Sequence, residues 1–294
     1  MAVTVHLIDA SPYLFRAYFS LPSSMRSPAG HPVQAVYGFA SFLAQYLAEA
    51  EPTHVGVYFD GSLTTSFRND IYPEYKATRD LPPAELEAQI DDCREVAAAY
   101  GLHCWIDDRY EADDGIGARV GQLREAGIPC VVVSPDKDMA QVVGDGTLLC
   151  DFAKGTTYGP AEVHAKWGVR PNQIIDMLGL AGDSVDNIPG VRGVGPKTAT
   201  ALLGAFDDLD DLYANLDEVA QLPIRGAKTL GKKLEAARDM AFLSRELATL
   251  SMDAPCEGGL DTLAWEGAIA ALVDPLFERL GFDTLRRRIA RWGE

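Results

Sequence analysis

Short apolar runs that alternate with helix-forming segments constrain the fold of this chain more than any other feature. Residues 2–9 (AVTVHLID) and 53–60 (THVGVYFD) are typical of buried strands that end in an aspartate, and residues 36–50 between them have apolar side chains at helical spacing. Further strands are predicted at residues 103–107, 126–134, 148–152 and 156–158, with a long helix over residues 83–100. Strands that alternate with helices form a mostly parallel, doubly wound sheet, so the sequence predicts an α/β fold.

The second part of the chain has a different pattern. From residue 171 onward the sequence is helical, and no linker separates it from the predicted strands. We therefore expect an α/β core over residues 1–168 and a helical region over residues 169–294 that packs directly on the sheet. A chain of 294 residues, 47% of them hydrophobic, can bury a full core of this kind.

Acidic residues stand where the predicted strands end and the helices begin. Asp9 and Asp60 each end a strand, and the carboxyl ends of parallel strands share one edge of the sheet, where ligands collect. An acid at such a place can simply cap a helix, but the set is larger than capping requires. The other members of the set are Glu111, Asp113, Asp114, Asp136, Asp138, Asp183 and Asp186.

The chemistry of this set favours a hard cation, because all of its ligands are oxygens and neither histidine nor cysteine accompanies them. We predict two Mg²⁺ or Mn²⁺ ions and disfavour zinc. Two such ions, roughly 3.5–4 Å apart, activate a water molecule and stabilise the leaving oxygen of a phosphodiester. The acids therefore indicate a nuclease.

Residues 179–204 (GLAGDSVDNIPGVRGVGPKTATALLG) join two of these acids to a glycine-rich turn. The spacing of Asp183 and Asp186 predicts that both carboxylates lie on one face of a helical turn and share a cation. The turn leads into a helix expected to start at Lys197, whose free backbone amides suit a phosphate. The alternative interpretation is a connector between two helices with solvated aspartates. The residues expected at the phosphate are Gly190, Gly193, Gly195, Lys197 and Thr198.

Two further segments have the composition of nucleic-acid contacts. Basic side chains interleaved with aromatic ones suit single strands, because bases stack and phosphates form ion pairs. The alternative for both segments is the solvated face of an amphipathic helix. The first segment contains Arg68, Tyr72, Tyr75, Lys76 and Arg79, and the second contains Arg225, Lys228, Lys232, Lys233 and Arg238.

The net charge of −17, from 26 basic and 43 acidic residues, argues against a nucleic-acid partner on the simplest rule. Bound divalent ions would offset part of this charge, and we expect DNA affinity to depend on local basic clusters and strongly on salt. The five cysteines form no C-x-x-C pair, which predicts reduced thiols in the cytoplasm. No apolar stretch is long enough for a membrane span, so no membrane partner is expected.

These motifs together are similar to one known superfamily. GDSVDNIPGVRGVGPKTA resembles the helix-three-turn-helix signature of the 5′-nucleases, and F-R-x-x-x-Y-x-x-Y-K-x-x-R is similar to their helical gateway or arch. In particular, the chain resembles the 5′→3′ exonuclease domain of bacterial DNA polymerase I and its free-standing relatives, from about Val3 to beyond Lys233. The resemblance implies an arch over about residues 67–100 and a helix-three-turn-helix over about residues 179–204.

The resemblance also implies roles for individual residues. Lys76 would polarise the scissile phosphate, Tyr75 would stack on the terminal base pair, and Arg68 and Arg79 would contact phosphates. Arg16 matches an arginine near the threaded strand. Among the acids, the resemblance implies that Asp114 and Asp183 act on an ion through a water molecule. It places one ion among Asp9, Asp60, Glu111 and Asp113, and the other among Asp136, Asp138 and Asp186.

The function implied is a structure-specific 5′→3′ exonuclease and 5′-flap endonuclease with a role in primer or flap removal and DNA repair. Its expected partners are branched or 5′-ended duplex DNA and RNA–DNA hybrids. K⁺ is a further candidate ligand at the helix-three-turn-helix, and the protein is expected to be a monomer. A DNA-holding module without catalysis would have lost ligands that are all present here. A phosphatase would need D-x-D where this chain has Asp9, Ala10 and Ser11, and a PIN-type ribonuclease would be smaller and would not need the glycine turn.

Overall fold

The structure is a computed structural model that describes residues 3–62, 65–79 and 82–293. Ala2, at the start of the first predicted strand, lies outside the described residues. So do Asp80 and Leu81 within the predicted arch, and Glu294 at the end of the helical region.

Within the described residues the sheet has six strands in the order β3-β2-β1-β4-β5-β6. Strands β1 to β5 run parallel and β6 pairs antiparallel with β5, as the sequence predicts. Strand β1 lies in the centre, since it pairs with β2 on one side and with β4 on the other. The strand order therefore reverses between β1 and β4, and open α/β sheets bind ligands at such a point. The strands are β1 Val5–Asp9, β2 His54–Asp60, β3 His103–Asp107, β4 Cys130–Val133, β5 Thr147–Asp151 and β6 Thr156–Tyr158.

Helices cover both faces of the sheet and make up the second half of the chain. Short 3₁₀ helices lie at Asp138–Val142, Phe152–Lys154, Pro171–Gln173, Glu218–Gln221, Leu260–Leu263 and Leu285–Arg288. The α-helices are α1 Ser11–Ser20, α2 Gln34–Ala50, α3 Arg68–Ile71, α4 Ala84–Ala99, α5 Ala112–Glu125, α6 Pro160–Trp167, α7 Ile174–Ala181, α8 Pro196–Leu203, α9 Leu209–Ala214, α10 Ala227–Ala236, α11 Arg238–Ala248 and α12 Ala270–Leu280.

Two hydrophobic clusters lie on opposite faces of the sheet, because successive strand residues point to opposite sides. Leu7 and Tyr58 belong to the cluster that continues through α5 into α7, α8 and α11. Ile8 and Val57 belong to the other cluster, beneath α2 and α4. The helical region thus packs directly on one face of the sheet, as expected.

The end of the chain departs from the expectation of one helical region over residues 169–294. Trp265 and Phe277 join the cluster beneath α2 and α4, on the face opposite α7 and α8. The amide of Trp265 donates to the carbonyl of Thr53 at 2.8 Å, and the amide of Ile269 donates to that of Ala99 at 2.8 Å. The last residues therefore close over the α/β core, and the boundary at residue 168 stays a prediction.

The segment predicted as an arch divides into two unlike parts. Only α3 and a series of turns occupy residues 68–79. Helix α4 packs on α2 with Leu86, Cys93 and Val96 buried, so it belongs to the layer that covers the sheet. Among the described residues, no helix combines the length and the apolar character needed to cross a membrane.

Candidate metal centre

A cavity of about 470 Å³ lies at the carboxyl edge of the sheet, beside the point where the strand order reverses. Five parts of the chain supply its carboxylates: the ends of β1 and β2, the start of α5, the loop after β4 and the turn at residues 183–188. The fold thus brings together acids that lie up to 177 positions apart in sequence. Seven of the nine predicted acids line the cavity, namely Asp9, Asp60, Glu111, Asp113, Asp136, Asp138 and Asp186.

Two serines orient the carboxylates at the strand ends. The hydroxyl of Ser134 donates to Oδ2 of Asp9 at 2.8 Å, and the hydroxyl of Ser11 donates to Oδ2 of Asp60 at 2.6 Å. The amide of Ala112 donates to the other oxygen of Asp60 at 2.9 Å. Sequence reasoning missed both serines, although Ser11 stands two positions after one predicted strand and Ser134 is the last residue of another.

Burial and mutual repulsion make the ionised state of these acids costly. Burial, followed by the charge of Asp60, raises the pKa of Asp9 to about 8. Burial, followed by the charge of Asp136, raises the pKa of Asp138 to about 7. Burial and the neighbouring carboxylates also raise the pKa of Asp113 well above its usual value. Carboxylates so arranged are stabilised by cations, and their oxygen ligands fit Mg²⁺ or Mn²⁺.

In the described conformation, basic side chains neutralise part of the negative charge of these carboxylates. Lys76 forms an ion pair with Glu111, and Arg79 forms one with Asp186. Within the described residues, no three acidic, histidine or cysteine side chains form a ready metal-ligand group. Lys76 and Arg79 occupy two of the seven carboxylates that line the cavity.

The turns that carry these groups interlock across the cavity. The amide of Lys76 donates to the carbonyl of Asp186 at 2.9 Å, and the side chain of Asn187 donates to the carbonyl of Glu74 at 2.6 Å. Lys76 and Asn187 both adopt a left-handed backbone, each with φ of 55°. A non-glycine residue rarely adopts this conformation, and such strain is concentrated at functional sites. Sequence reasoning missed Asn187.

The prediction that Asp183 and Asp186 share one face of a helical turn is wrong. Two backbone hydrogen bonds between Asp183 and Ile188 close a turn there, and no helix forms. Asp186 lines the cavity, while Asp183 forms an ion pair with Lys137 beside it. Lys137, which also lies 3.2 Å from Asp138, is a third cation of the site that sequence reasoning missed.

Arg68 and Asp114 lie beside the cavity as a buried pair, with exposed side-chain fractions of 3% and 0%. Arg68 donates two bonds to Asp114, at 2.8 and 2.7 Å, and one to Glu111 at 2.9 Å. Its remaining donors reach the carbonyls of Leu247 at 2.8 Å and Thr249 at 3.0 Å. All five N–H groups of the guanidinium are thus engaged within the described residues. The structure does not support a phosphate contact by Arg68.

Asp114 is equally saturated. Besides Arg68, it accepts hydrogen bonds from the amide of Ser251 at 2.8 Å and from that of Glu111 at 3.1 Å. A carboxylate with four such bonds has no lone pair left for an ion. Asp114 therefore anchors the start of α5, beside the predicted ligands Glu111 and Asp113.

The predicted DNA contacts Tyr72, Tyr75 and Arg16 lie in three different surroundings. Tyr75 is 3% exposed, and its hydroxyl donates to Glu111 at 3.1 Å. Tyr72 is half-buried against the main hydrophobic cluster. Arg16 is exposed on α1, outside the carboxylate cavity. In this conformation Tyr75 faces the acids, and its prediction as a stacking residue stays untested.

The glycine-rich turn forms between α7 and α8, as predicted, although α8 starts at Pro196. Gly190 and Gly193 have positive φ, and a methyl group on Gly190 would lie 2.3 Å from the amide nitrogen of Gly182. Gly195 precedes α8 in an extended conformation, with open space beside it. Lys197 is exposed and Thr198 half-buried in the first turn, which contains no acid. The amides of Gly190, Val191 and Val194 donate within the protein, whereas those of Gly193 and Gly195 donate to no other described residue and can donate to a phosphate.

The second basic segment forms the turn before helix α10, helix α10 itself and, at Arg238, the start of α11. Arg238 lies over the rings of Tyr213 and Phe242. Leu230 and Leu234 are buried, while the basic side chains face solvent. Among the described residues these basic side chains form no ion pair, so their charge is available to a partner. They are Arg225, Lys228, Lys232 and Lys233.

Two family models together match most of the chain. The model described as "5′-3′ exonuclease, N-terminal resolvase-like domain" matches residues 4–168, and the model "5′-3′ exonuclease, C-terminal SAM fold" matches residues 169–270. The chain belongs to the 5′-3′ exonuclease family. The fold is accordingly that of an exonuclease family.

The curated relatives of this exonuclease-family chain are much longer proteins. It is 42% identical over 287 residues to DNA polymerase I of Bacillus subtilis, covering 96% of this chain and 32% of that protein. It is 39% identical over 291 residues to DNA polymerase I of Rhizobium leguminosarum, covering 97% and 28% respectively. The chain thus spans about a third of the length of these relatives.

Solved structures of lower sequence identity share the fold. The 5′-exonuclease of bacteriophage T5 aligns with a TM-score of 0.66 at 20% identity, over 97% of this chain and 96% of that one. The catalytic core of Rad2 aligns with a TM-score of 0.60 at 16% identity, over 96% of this chain and 89% of that one.

Proposed function

We propose that this chain is a structure-specific 5′→3′ exonuclease and 5′-flap endonuclease that hydrolyses DNA with two divalent metal ions. The observation that carries the proposal is the single cavity lined by seven carboxylates from five parts of the chain, beside Lys76 and Arg79. Membership of the exonuclease family supports it. Two of the structural neighbours support it further, since the phage enzyme was solved with bound zinc and Rad2 with a DNA substrate.

The residues of the cavity fit the ions that we propose. Asp9, Asp60, Glu111 and Asp113 would hold one ion, and Asp136, Asp138 and Asp186 would hold the other. Bound there, Mg²⁺ or Mn²⁺ supplies an activated water molecule and charge stabilisation for the leaving oxygen. Ser11 and Ser134 would fix the orientation of two ligands, as hydrogen-bonded neighbours of metal ligands do.

The cations of the interlocked turns would exchange partners when DNA binds. A phosphate competes with Glu111 for Lys76 and with Asp186 for Arg79, and each exchange frees a carboxylate for an ion. Substrate and metal binding would thereby reinforce each other. The positioned amines would then hold the negative charge of the scissile phosphate.

Recognition of DNA would follow backbone shape and not base sequence. The amides between Gly190 and Gly195 and the start of α8 would contact the phosphates of the duplex, with Lys197, Thr198 and a K⁺ ion as further candidates. The exposed Arg225, Lys228 and Lys232 would extend this contact along the duplex.

The further predicted properties form part of the same proposal. The substrates would be branched and 5′-ended duplex DNA and RNA–DNA hybrids, and the role would be removal of primers and flaps during replication and repair. We propose a monomer that acts in the cytoplasm. The five cysteines are free thiols in the structure, which supports a reducing compartment.

The test is cleavage of a 5′-labelled flap duplex and a blunt duplex of the same sequence, with Mg²⁺, with Mn²⁺ and with a chelator. The proposal requires metal-dependent cutting near the flap junction. It also requires short products from the blunt 5′ end, because that end is the exonuclease substrate. Tight binding of the flap without cutting under either metal would overturn the proposal and leave a DNA-holding module.

A further inference from the structure

Helix α1 separates the carboxylate cavity from a second cavity of about 510 Å³. Positions 12, 15 and 19 of α1 line the carboxylate cavity, and positions 13, 16, 17 and 20 line the second one. These sets follow helical spacing on two neighbouring faces.

Aromatic rings form one side of the second cavity. Tyr13 stacks on Phe42 with ring centroids 3.7 Å apart and planes 7° apart, and the ring of Phe152 meets Phe42 edge-on at 5.8 Å. Helices α1 and α2 touch at its base, where a methyl group on Gly38 would lie 2.3 Å from Cβ of Ala17. The close helix contact fixes the aromatic side of the cavity in place.

The rim of the second cavity carries positive charge. Arg16 from α1 and Arg288 from near the end of the chain both line it, and both are exposed. Within the described residues neither arginine forms an ion pair with a carboxylate. The neighbouring Asp151 is already neutralised by Lys154 at 2.6 Å. Two uncompensated arginines that face one cavity, in a chain of net charge −17, indicate an anionic ligand.

We propose that the second cavity binds a nucleoside phosphate, with the phosphate on Arg16 and Arg288 and the base against Phe42 and Phe152. Arginine pairs strongly with phosphate oxygens, and bases of any sequence stack on aromatic side chains. The volume lies within the range of small-ligand sites. The ligand is a free nucleotide, because contact of Arg16 with a DNA strand already belongs to the predicted DNA interface. The proposal goes beyond the cleavage reaction, since it uses none of the seven carboxylates and needs no metal.

The test uses the full chain in metal-free buffer, titrated calorimetrically with adenosine monophosphate, adenosine, inorganic phosphate and a 5′-phosphorylated single-stranded dinucleotide. Adenosine monophosphate is expected to bind more tightly than adenosine or phosphate alone. Arg16→Ala and Arg288→Ala are each expected to weaken it about tenfold, the effect of losing a hydrogen bond to a charged group. Phe152→Leu should weaken the nucleotide and leave inorganic phosphate unchanged, because it removes the ring and keeps the apolar volume.

Two control variants locate the binding. Arg287→Ala removes an exposed arginine beside Arg288 that does not line the cavity, and Asp136→Ala alters the carboxylate cavity. Both should leave nucleotide affinity unchanged. The monophosphate is expected to bind more tightly than the dinucleotide, and the reverse order would overturn the proposal because it would identify a DNA strand as the ligand. No saturable binding of either nucleotide, equal losses in Arg287→Ala and Arg288→Ala, or equal affinity for phosphate and nucleotide would each overturn the proposal.

Discussion

Replacement of Arg68 by methionine should lower the thermal stability of this protein and leave its DNA affinity unchanged. The change leaves Asp114 buried without its partner and removes donors from the carbonyls of Leu247 and Thr249 at the end of α11. Breaking a buried ion pair from one side costs about 3–5 kcal/mol. At about 2–4 °C per kcal/mol for a chain near this size, Tm should fall by roughly 10 °C.

The assay is thermal unfolding in metal-free buffer, followed by DNA affinity at a temperature at which the variant is folded. Arg109→Ala is the matched control, because its ion pair with Asp70 is exposed and such pairs contribute at most about 1 kcal/mol. Arg68→Met combined with Asp114→Leu should recover part of the loss, since an apolar pair leaves no buried charge unpaired. An Arg68→Met variant with the wild-type Tm and weakened DNA binding would refute the structural role and restore the phosphate contact.

Three further predictions concern the turn, the interlocked cations and the pH dependence of stability. Gly190→Ala should destabilise the fold by about 1–3 kcal/mol because its methyl group meets the backbone of Gly182. Gly195→Ala, whose methyl group points into open space, should keep the wild-type free energy of unfolding. It should weaken duplex binding in an anisotropy titration. Lys76→Met should slow flap cleavage with little change in duplex affinity, and equal cleavage rates would contradict its proposed role at the phosphate. Burial lowers the pKa of His6 to about 4 from the usual 6.5. The unfolded chain therefore takes up a proton more readily than the folded one between these two pH values. The free energy of unfolding should be highest above pH 6.5 and should fall by roughly 3 kcal/mol at most as the pH decreases to 4. Denaturant unfolding of His6→Phe from pH 8 to 4 should show a correspondingly smaller loss, and an unchanged slope would contradict this.

The sequence predicts the centre of the sheet well because β1, β2 and β4 are largely buried on both faces and form continuous apolar runs. Asp9 and Asp60 follow directly from this pattern, since parallel strands that end in acids place them at one edge. The same local logic predicts that a basic, aromatic segment is a DNA-binding surface. It does not show that Arg68 turns inward, because its partners lie 43 to 181 positions away in the chain.

The spacing rule fails at Asp183 and Asp186 for a physical reason. Three-residue spacing places side chains on one face only if the backbone is helical, and here the hydrogen bonds between Asp183 and Ile188 select a turn instead. The sequence also does not predict that Trp265 packs in the layer of α2 and α4, because a buried tryptophan does not show which face of a sheet it covers. The pairing of the acids with Lys76 and Arg79 in the cavity, and with Lys137 beside it, is likewise visible only in the folded structure.

The central claim is that the carboxylate cavity holds the metal ions that cleave DNA. Its most direct test is single-turnover cleavage of a 5′-labelled flap duplex by wild type, Asp136→Ala and Asp283→Ala, with flap affinity measured on the same samples. Asp136 lines the cavity and Asp283 is an exposed aspartate outside it. We predict that Asp136→Ala slows cleavage at least about a hundredfold at unchanged affinity, while Asp283→Ala matches wild type. Wild-type cleavage by Asp136→Ala would contradict the claim.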